Sequence, residues 1–269
     1  MRLSALYSLY CAAVDRDIPQ MEILGVALAA LSTDEALARA EDLLERPEPA
    51  RVLHVNAHTA NLAYADPDYR AVLERADLVL NDGKGMLVAA RLLGGRFPAD
   101  LNGNHFGPRL LARAAERGWP VFFLGARAGV AERAAGRLEQ RIPGLEVCGV
   151  RHGYIAPNEL DSVLAGIRAS RPRLLYVGLG NPLQERWLDA HLDATGAQLG
   201  VGVGAFFDFQ AGEVQRAPEW MNRAGVEWLH RLAQEPNRMW RRYLYGNPRF
   251  ISRVLRQRLA GRAGALFGV

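Results

Sequence analysis

Short apolar runs alternate along this chain with longer segments of helical periodicity, and this alternation restricts the fold more than any other feature. The apolar runs predict strands at 22–27, 51–56, 77–81, 120–124, 146–150, 174–177 and 198–203. Helical segments are predicted between them at 33–45, 68–76, 85–93, 108–117, 130–141, 157–170 and 182–194. Strands that alternate with helices of this length are typical of a parallel sheet covered by helices. We therefore predict an α/β fold.

The strand pattern stops after about residue 217, and the rest of the chain predicts helices at 218–224, 226–234 and 236–259. Residues 216–262 contain eleven Arg and three Glu, whereas the whole chain has a net charge of only +4. We predict a catalytic core at 1–215 and an Arg-rich helical appendage at 216–269. The amphipathic last helix fits two interpretations: packing on its own domain, or an interfacial helix whose arginines meet anionic lipid.

Bulk properties narrow the class of protein. The 269 residues are 49% hydrophobic, which suits one large domain or one domain with an appendage. No apolar run reaches the roughly 18 residues of a spanning helix. Residues 1–13 resemble a weak signal peptide, but Tyr10 directly before Cys11 argues against lipoprotein processing. With Cys148 the only other cysteine, no disulfide framework or zinc site is indicated, and a cytoplasmic location is expected.

Ligands of parallel sheets bind at the carboxyl ends of the strands, so the junctions after the strands are the places to seek chemistry. Asn81-Asp82-Gly83 closes the third predicted strand. A carboxylate there, followed by glycine, is well placed to act as a general base. Asp-Gly is also a common turn pair, and Asp82 equally fits a cap of the next helix.

Polar side chains also end the preceding strand: His54, Asn56, His58 and Thr59. Because they are neutral and have no fixed carboxylate partner, they form a weak metal-ligand set, and substrate hydrogen bonding by Asn56 is the preferred interpretation. The stretch Asp66-Pro67-Asp68 matches the D-x-D metal pattern of many nucleotide-sugar enzymes. Its position between helical stretches favours a helix cap and start instead.

Two later junctions contain glycines. Residues 178–185 follow a strand and open a helix, whose free N–H groups form an anion site. Asn181, Pro182 and Gln184 equally fit an N-cap, first position and capping box. In 202–209, Asp208 is either an acceptor for a nucleotide-base N–H or a local turn residue. Neither junction has the third glycine of the dinucleotide-binding fingerprint.

Taken in order, these motifs resemble the WecG/TagA/CpsF glycosyltransferase family over about residues 21–255. The matching blocks, besides Asn56, are ADLVLNDGKG (76–85), FFLGARAGVAERAA (122–135), GLGNPLQERW (178–187), GVGAFFDFQAGEVQRAPEWM (202–221) and GVEWLHRLAQEPNRMWRR (225–242). The resemblance implies a Rossmann-like core that uses a UDP-sugar donor without a metal or other cofactor. It also implies a polyprenyl-diphosphate-linked saccharide acceptor, no nucleic-acid partner, and an appendage that contacts both the active site and the inner face of the cell membrane.

The same resemblance assigns roles to individual residues. It implies that Asp82 is the catalytic base, with Asn56 as a polar contact near it. Gln184 matches a donor-side glutamine, and Asp208 lies in the segment that lines the nucleotide. Arginines of the appendage are implied to reach a diphosphate, namely Arg231, Arg238 and Arg241.

Departures from the family's pattern bear on the substrate. His54 stands where a Thr is frequent, Leu183 replaces a basic residue, and 100–105 replace an Arg-x-x-Gly-x-Asp stretch. His54 and Asn102 are therefore further candidates for substrate binding. The stretch 97–106 is more similar to GumM-type exopolysaccharide glucosyltransferases, so a donor of the glucose or N-acetylmannosamine type is expected.

These motifs lead to a mechanistic hypothesis. Asp82 takes the proton of an acceptor hydroxyl while that oxygen displaces UDP from the anomeric carbon, inverting its configuration. The charge on the leaving phosphate would be met by appendage arginines and by helix N-termini near Gly125 and Asn181. Two alternatives stay open: a nucleotide-dependent oxidoreductase on the same fold class, and a non-catalytic adaptor that binds a membrane or nucleic acid through the basic tail.

Overall fold

The computed structural model describes residues 18–215, 217–218, 220–221 and 226–267, without the side chains of 238 and 262–267. The predictions for residues 1–13 lie outside this part of the chain, and those for 218–224 lie partly outside it. Within it, a six-stranded parallel sheet forms the centre of the molecule and helices cover both faces. The α/β prediction is confirmed, and the architecture is Rossmann-like.

The strands are β1 (Gln20–Ile23), β2 (Val26–Ala29), β3 (Ala50–Val55), β4 (Leu78–Asn81), β5 (Val121–Gly125), β6 (Val147–Arg151), β7 (Leu174–Gly178) and β8 (Leu199–Gly202). The α-helices up to β8 are α1 (Thr33–Leu44), α2 (Ala57–Ala65), α3 (Pro67–Glu74), α4 (Lys84–Leu92), α5 (Gly103–Arg117), α6 (Val130–Arg141), α7 (Leu160–Ala169) and α8 (Leu183–Thr195), with a 3₁₀ turn at Pro157–Glu159. After β8 follow α9 (Phe206–Ala211), α10 (Glu227–Gln234), α11 (Pro236–Trp240), a π-helical turn (Arg241–Tyr245) and α12 (Gly246–Phe267). The central sheet has the order β4-β3-β8-β7-β5-β6, and β1 pairs with β2 in a separate antiparallel hairpin.

Most strands of the central sheet are largely apolar and buried because both faces of the sheet are covered. Successive side chains of a strand point to opposite faces. Val52 of β3 accordingly belongs to one hydrophobic cluster and Leu53 to another, and Phe123 and Phe122 of β5 divide in the same way. This continuous burial is characteristic of parallel sheets under two helical layers.

Three local predictions were wrong. The run at 22–27 is not one strand, since Leu24 and Gly25 have positive φ values of 54° and 81° and turn the chain into the β1–β2 hairpin. Helix α2 was missed, and its first turn contains His58 and Thr59, which were expected in a strand-end loop. The helix predicted at 236–259 is divided by the π-helical turn into α11 and α12.

Helix α12 packs against the core, mainly on α2, through the buried side chains of Phe250 and Val254. Polar contacts support the same interface: Asn61 Nδ2 donates to the Gly246 carbonyl at 2.8 Å, and Arg253 Nη1 donates to Asn61 Oδ1 at 2.9 Å. Other apolar residues of this region stay exposed, including Leu244, Tyr245, Leu255 and Leu259. Within the described residues, no helix is long and apolar enough to cross a membrane.

Candidate active site

The carboxyl ends of two neighbouring strands bring Asn56 and Asp82 together. In the parallel pair β3–β4, Val55 lies opposite Asn81, so the residues that follow meet at the sheet edge. Asn56 Nδ2 donates to Asp82 Oδ2 at 3.0 Å, and the Asp82 N–H donates to the Val55 carbonyl at 2.9 Å. The structure therefore joins the predicted base and its predicted polar neighbour in one hydrogen-bonded pair.

The Asn56 amide can adopt only one orientation. Its Oδ1 accepts hydrogen bonds from the N–H groups of His58 and Thr59, at 3.0 and 3.1 Å, and so caps α2. With the oxygen used at the helix end, the nitrogen must face Asp82. Asn56 is thus both the N-cap of α2 and the group that holds one oxygen of the carboxylate.

Asp82 is not a helix cap. The N-cap position of α4 is occupied by Gly83, which has a φ of 85° and makes no side-chain capping bond. Asp100 Oδ1 instead accepts from the Gly83 N–H at 2.9 Å and fixes the turn. The alternative interpretation of Asp82 as a helix cap is therefore wrong. Asp82 lines two cavities instead.

Two cavities meet at Asp82. The large cavity, of about 900 Å³, lies over the carboxyl ends of β3, β7 and β8, and its core lining includes His54, Asn181 and Gln184. The small cavity, of about 440 Å³, lies toward α4 and α5. Both are of the size of small-molecule sites. Several residues line both: Asn56, His58, Asp82, Asn104, Arg231, Arg242 and Tyr243.

His54 lies at the wall of the large cavity and is almost fully buried. Its Nδ1 lies 2.9 Å from the Gly202 carbonyl. Because a carbonyl only accepts, Nδ1 carries the proton and Nε2 has the lone pair. Burial lowers the pKa of the imidazole, against the opposing influence of Asp82. His54 is therefore a neutral ring with one fixed tautomer.

His58, at the start of α2, is a second neutral imidazole in the site. Burial, and then the positive charge of Arg242, lower its pKa to about 4. It contacts both cavities, so it contributes a polar but uncharged surface beside Asp82 at neutral pH.

Gln184 does not form the capping box that was its alternative interpretation. Helix α8 begins at Leu183, and Pro182 at its N-cap makes no side-chain bond. Gln184 turns inward, where its Oε1 accepts from the Gly204 N–H at 2.9 Å and its Nε2 donates to Glu185 Oε1 at 2.8 Å. Asn181 Nδ2 donates to the same Glu185 oxygen at 2.5 Å. Burial raises the pKa of Glu185 to about 7.

Three other predicted residues have local structural contacts. Asn102 caps α5 by accepting from the His105 N–H at 3.1 Å, and it lines the small cavity. Gly125 lies where β5 approaches β7, and a Cβ there would overlap the carbonyl of Gly178. Asp208 lies half-buried within α9. Neither Gly125 nor Asp208 is among the described residues that line these two cavities.

Arginines from the C-terminal helices border the large cavity. Arg231 forms an ion pair with Glu235 at 2.8 Å and lies over the Phe209 ring, while Arg241 lies over Trp240. The Arg238 side chain lies outside the described part of the structure. Sequence analysis did not single out three further arginines that line this cavity: Arg242, Arg249 and Arg253.

An aromatic pair in the small cavity was also missed. The rings of Trp228 in α10 and Tyr243 in the π-helical turn are 5.9 Å apart between centroids, at 58°. Both line the cavity that Asp82 also lines. The C-terminal helices therefore supply aromatic surface to the site as well as positive charge. Their helical periodicity could not predict this, because it depends on how α10 packs against the π-helical turn.

Asp66 has the structural role that was preferred for it. Its Oδ1 accepts from the Tyr69 N–H at 2.9 Å as the N-cap of α3, and its Oδ2 pairs with Arg186 at 2.8 Å. In the part of the chain that the structure describes, no group of three or more His, Cys, Asp or Glu side chains is arranged to hold a metal ion.

A strand-end carboxylate between two cavities, on a parallel sheet covered by helices, places this chain among the α/β enzymes that bind ligands at the carboxyl edge of the sheet. The chain belongs to the glycosyl transferase WecG/TagA/CpsF family, whose model matches residues 21–264. The resemblance found in the sequence is confirmed.

Two curated relatives are similar to this chain over most of their length. One, from Bacillus spizizenii strain W23, is 32% identical over 217 residues, which cover 81% of this chain and 83% of the relative. Another, from Bacillus subtilis strain 168, is 30% identical over 203 residues, which cover 76% of this chain and 78% of the relative. Each is named an N-acetylglucosaminyldiphosphoundecaprenol N-acetyl-beta-D-mannosaminyltransferase. The protein is thus a glycosyltransferase, and the oxidoreductase and adaptor alternatives are set aside.

Proposed function

We propose that this protein is an inverting, metal-independent glycosyltransferase that moves a sugar from a UDP-sugar to a polyprenyl-diphosphate-linked saccharide. The observation that carries the proposal is Asp82, held by Asn56 at the point where two cavities meet. A base at this point can take the proton of an acceptor hydroxyl held in one cavity while that hydroxyl oxygen attacks an anomeric carbon held in the other. This is the geometry that a single displacement requires.

In the proposed step, the acceptor hydroxyl oxygen forms a bond to the anomeric carbon while the bond from that carbon to the UDP phosphate oxygen breaks. The hydroxyl proton passes to Asp82. Because Oδ2 of Asp82 accepts from Asn56, Oδ1 is the oxygen that takes the proton. UDP leaves with the bonding electron pair, and attack from the opposite face inverts the anomeric configuration.

The charge that develops on the leaving phosphate needs fixed positive groups. Arg231, Arg241 and Arg242 border the large cavity and are suited to phosphate oxygens. Arg231 and Arg242 also line the small cavity, whereas Arg241, Arg249 and Arg253 line only the large one of the two. On this basis we assign the UDP-sugar to the large cavity, next to His54 and Asn181. These arginines take the place of a metal ion in the proposed reaction.

We assign the acceptor sugar to the small cavity. Trp228 and Tyr243 offer ring faces there, and aromatic faces bind the apolar C–H surface of a pyranose. Asn102 and His105 lie on the same lining and can hydrogen-bond to hydroxyl groups. The names of the two relatives support an N-acetylglucosaminyl diphospholipid as acceptor and an N-acetylmannosaminyl donor, while the sequence of 97–106 also favours a glucosyl donor.

The proposed acceptor is anchored in a membrane, so the enzyme must work at its surface. We propose that residues 216–269 form an appendage that contacts anionic lipid on the cytoplasmic face while it completes the active site. Exposed Leu255 and Leu259 on α12, among arginines, support this assignment. The product would then enter cell-envelope or exopolysaccharide biosynthesis.

The direct test is UDP release from UDP-glucose, UDP-ManNAc, UDP-ManNAcA and UDP-GlcNAc, with a polyprenyl-diphosphate N-acetylglucosamine acceptor. We expect one donor to be turned over with the acceptor present, at an undiminished rate in EDTA. NMR of the product should give the opposite anomeric configuration to the donor. Retention of configuration would contradict a single displacement. Loss of activity in EDTA would contradict a metal-independent reaction.

A further inference from the structure

Glu185 is a buried carboxyl group directly behind the wall of the large cavity. It is fully inaccessible, and its Oε1 accepts hydrogen bonds from two side chains that line the cavity, Asn181 and Gln184. The proposed reaction does not use this carboxyl group. A charged residue at such a position needs a reason, because burying a carboxylate is costly.

An ion pair does not explain why Glu185 is buried. The adjacent Arg186 pairs with Asp66 at 2.8 Å, not with Glu185. The titratable group that faces Glu185 from α3 is the Tyr69 hydroxyl, while His54 on β3 is bound to the Gly202 carbonyl. A buried carboxyl group held only by neutral partners contributes little to stability, and an apolar side chain of similar volume would usually serve as well.

What Glu185 does provide is orientation. The same oxygen, Oε1, accepts both bonds, so the amide nitrogens of both Asn181 and Gln184 must turn toward it. The oxygen of Gln184 then faces the Gly204 N–H, which it binds at 2.9 Å. Asn181 lines the large cavity, and with its nitrogen bound to Glu185 its oxygen is the amide atom that remains for a ligand there.

We propose that Glu185 is a positioning residue for the donor: it fixes Asn181 as a hydrogen-bond acceptor toward the UDP-sugar and, through Gln184, fixes the backbone at Gly204. The proposal rests on the assignment of the donor to the large cavity. Asn181 Oδ1 would then accept a hydrogen bond from an N–H or O–H group of the UDP-sugar. Without the acceptor at Glu185, the Asn181 amide is free to rotate and to present its NH₂ instead.

Two substitutions separate orientation from folding. Glu185→Met keeps the length of the side chain but removes the acceptor oxygen, whereas Glu185→Gln keeps one acceptor oxygen for both amides. Glu132→Met, at an exposed position on α6, is the matched control. Each variant is assayed well below its melting temperature, with UDP-sugar and lipid-diphosphate acceptor varied separately.

We expect Glu185→Met to raise the KM for the UDP-sugar about tenfold, the effect of one lost hydrogen bond. The KM for the acceptor should stay within about twofold, since general damage to the fold would not single out one substrate. Glu185→Gln should restore the donor KM to near the wild-type value, and Glu132→Met should not change it.

An unchanged donor KM in folded Glu185→Met would overturn the positioning role, and so would equal changes in both KM values. Failure of the proposed function itself has a different signature, since the wild-type protein would then turn over none of the UDP-sugars.

Discussion

At the scale of single residues, the proposed reaction depends on how Asn56 divides the two oxygens of Asp82. It holds Oδ2 and leaves Oδ1 for a proton. We expect Asp82→Asn to reduce turnover about 10²-fold or more, because an amide cannot take the proton. UDP binding, measured by calorimetry, should be nearly unchanged. Asp68→Asn, an exposed position in the first turn of α3, is the control. Near-normal turnover of Asp82→Asn would remove this residue from the base role.

The two roles of Asn56 can be separated by substitution. Serine is as good an N-cap as asparagine but cannot reach Asp82 with an amide N–H, whereas alanine provides neither contact. We expect Asn56→Ala to lower the free energy of unfolding by about 1 kcal/mol relative to Asn56→Ser. Both should lose turnover to a similar degree. Urea denaturation and UDP-release rates measure the two effects, and full activity of Asn56→Ser would show that the bond to Asp82 is dispensable.

Glu185 should make stability depend on pH. Its pKa in the folded protein is raised from 4.5 to about 7 by burial, so the folded state binds more protons than the unfolded state in this interval. The contribution of Glu185 to the free energy of unfolding should therefore fall as pH rises from 4.5 to 7, by up to about 3 kcal/mol, while the lowered pKa of His58 acts in the opposite direction in both proteins. Glu185→Gln should lose this contribution. Melting temperatures of both proteins across the interval test it, and parallel curves would contradict it.

At the scale of elements, the parallel sheet could be predicted because burial on both faces makes its strands continuous apolar runs. The same signal hid the β1–β2 turn, since Leu24 is apolar although the chain reverses there. Helix α2 was missed because it begins directly after β3, and its cap, Asn56, was interpreted as a substrate contact. The sequence pattern predicts that an element exists more reliably than it predicts which groups the polar residues of that element contact.

The way α12 packs on the core buries one residue and exposes the next, so two adjacent positions can be compared by substitution. Val254 is 0% exposed and Leu255 is 41% exposed. We expect Val254→Ala to lower the free energy of unfolding by about 2 kcal/mol, because it removes buried methyl groups and leaves a cavity. Leu255→Ala should change it by less than about 0.5 kcal/mol. Denaturant midpoints measure both, and equal effects would mean that α12 does not bury this face.

At the scale of the whole molecule, the candidate site is built from distant parts of the chain. Asp82 and Asn56 come from adjacent strand ends, which sequence position could predict. Trp228, Tyr243 and Arg242 come from the C-terminal helices, and their approach to Asp82 depends on the packing of α12 against α2. Such tertiary placement leaves no mark in local periodicity. It also means that a change in the C-terminal helices would reach the chemistry directly.

The distribution of charge and apolar surface over the molecule leads to a prediction about membranes. Residues 216–262 are strongly basic, and Leu255 and Leu259 are exposed one helical turn apart on α12. We expect binding to vesicles containing phosphatidylglycerol, weaker binding to phosphatidylcholine alone, and release as salt is raised. The double substitution Leu255→Ser and Leu259→Ser should weaken binding at all salt concentrations, because it removes the apolar contact. Binding is measured by vesicle sedimentation. The control is Tyr154→Ser, at an exposed position outside the C-terminal helices. Equal binding of the double variant and the wild-type protein would exclude this face of α12 from the membrane contact.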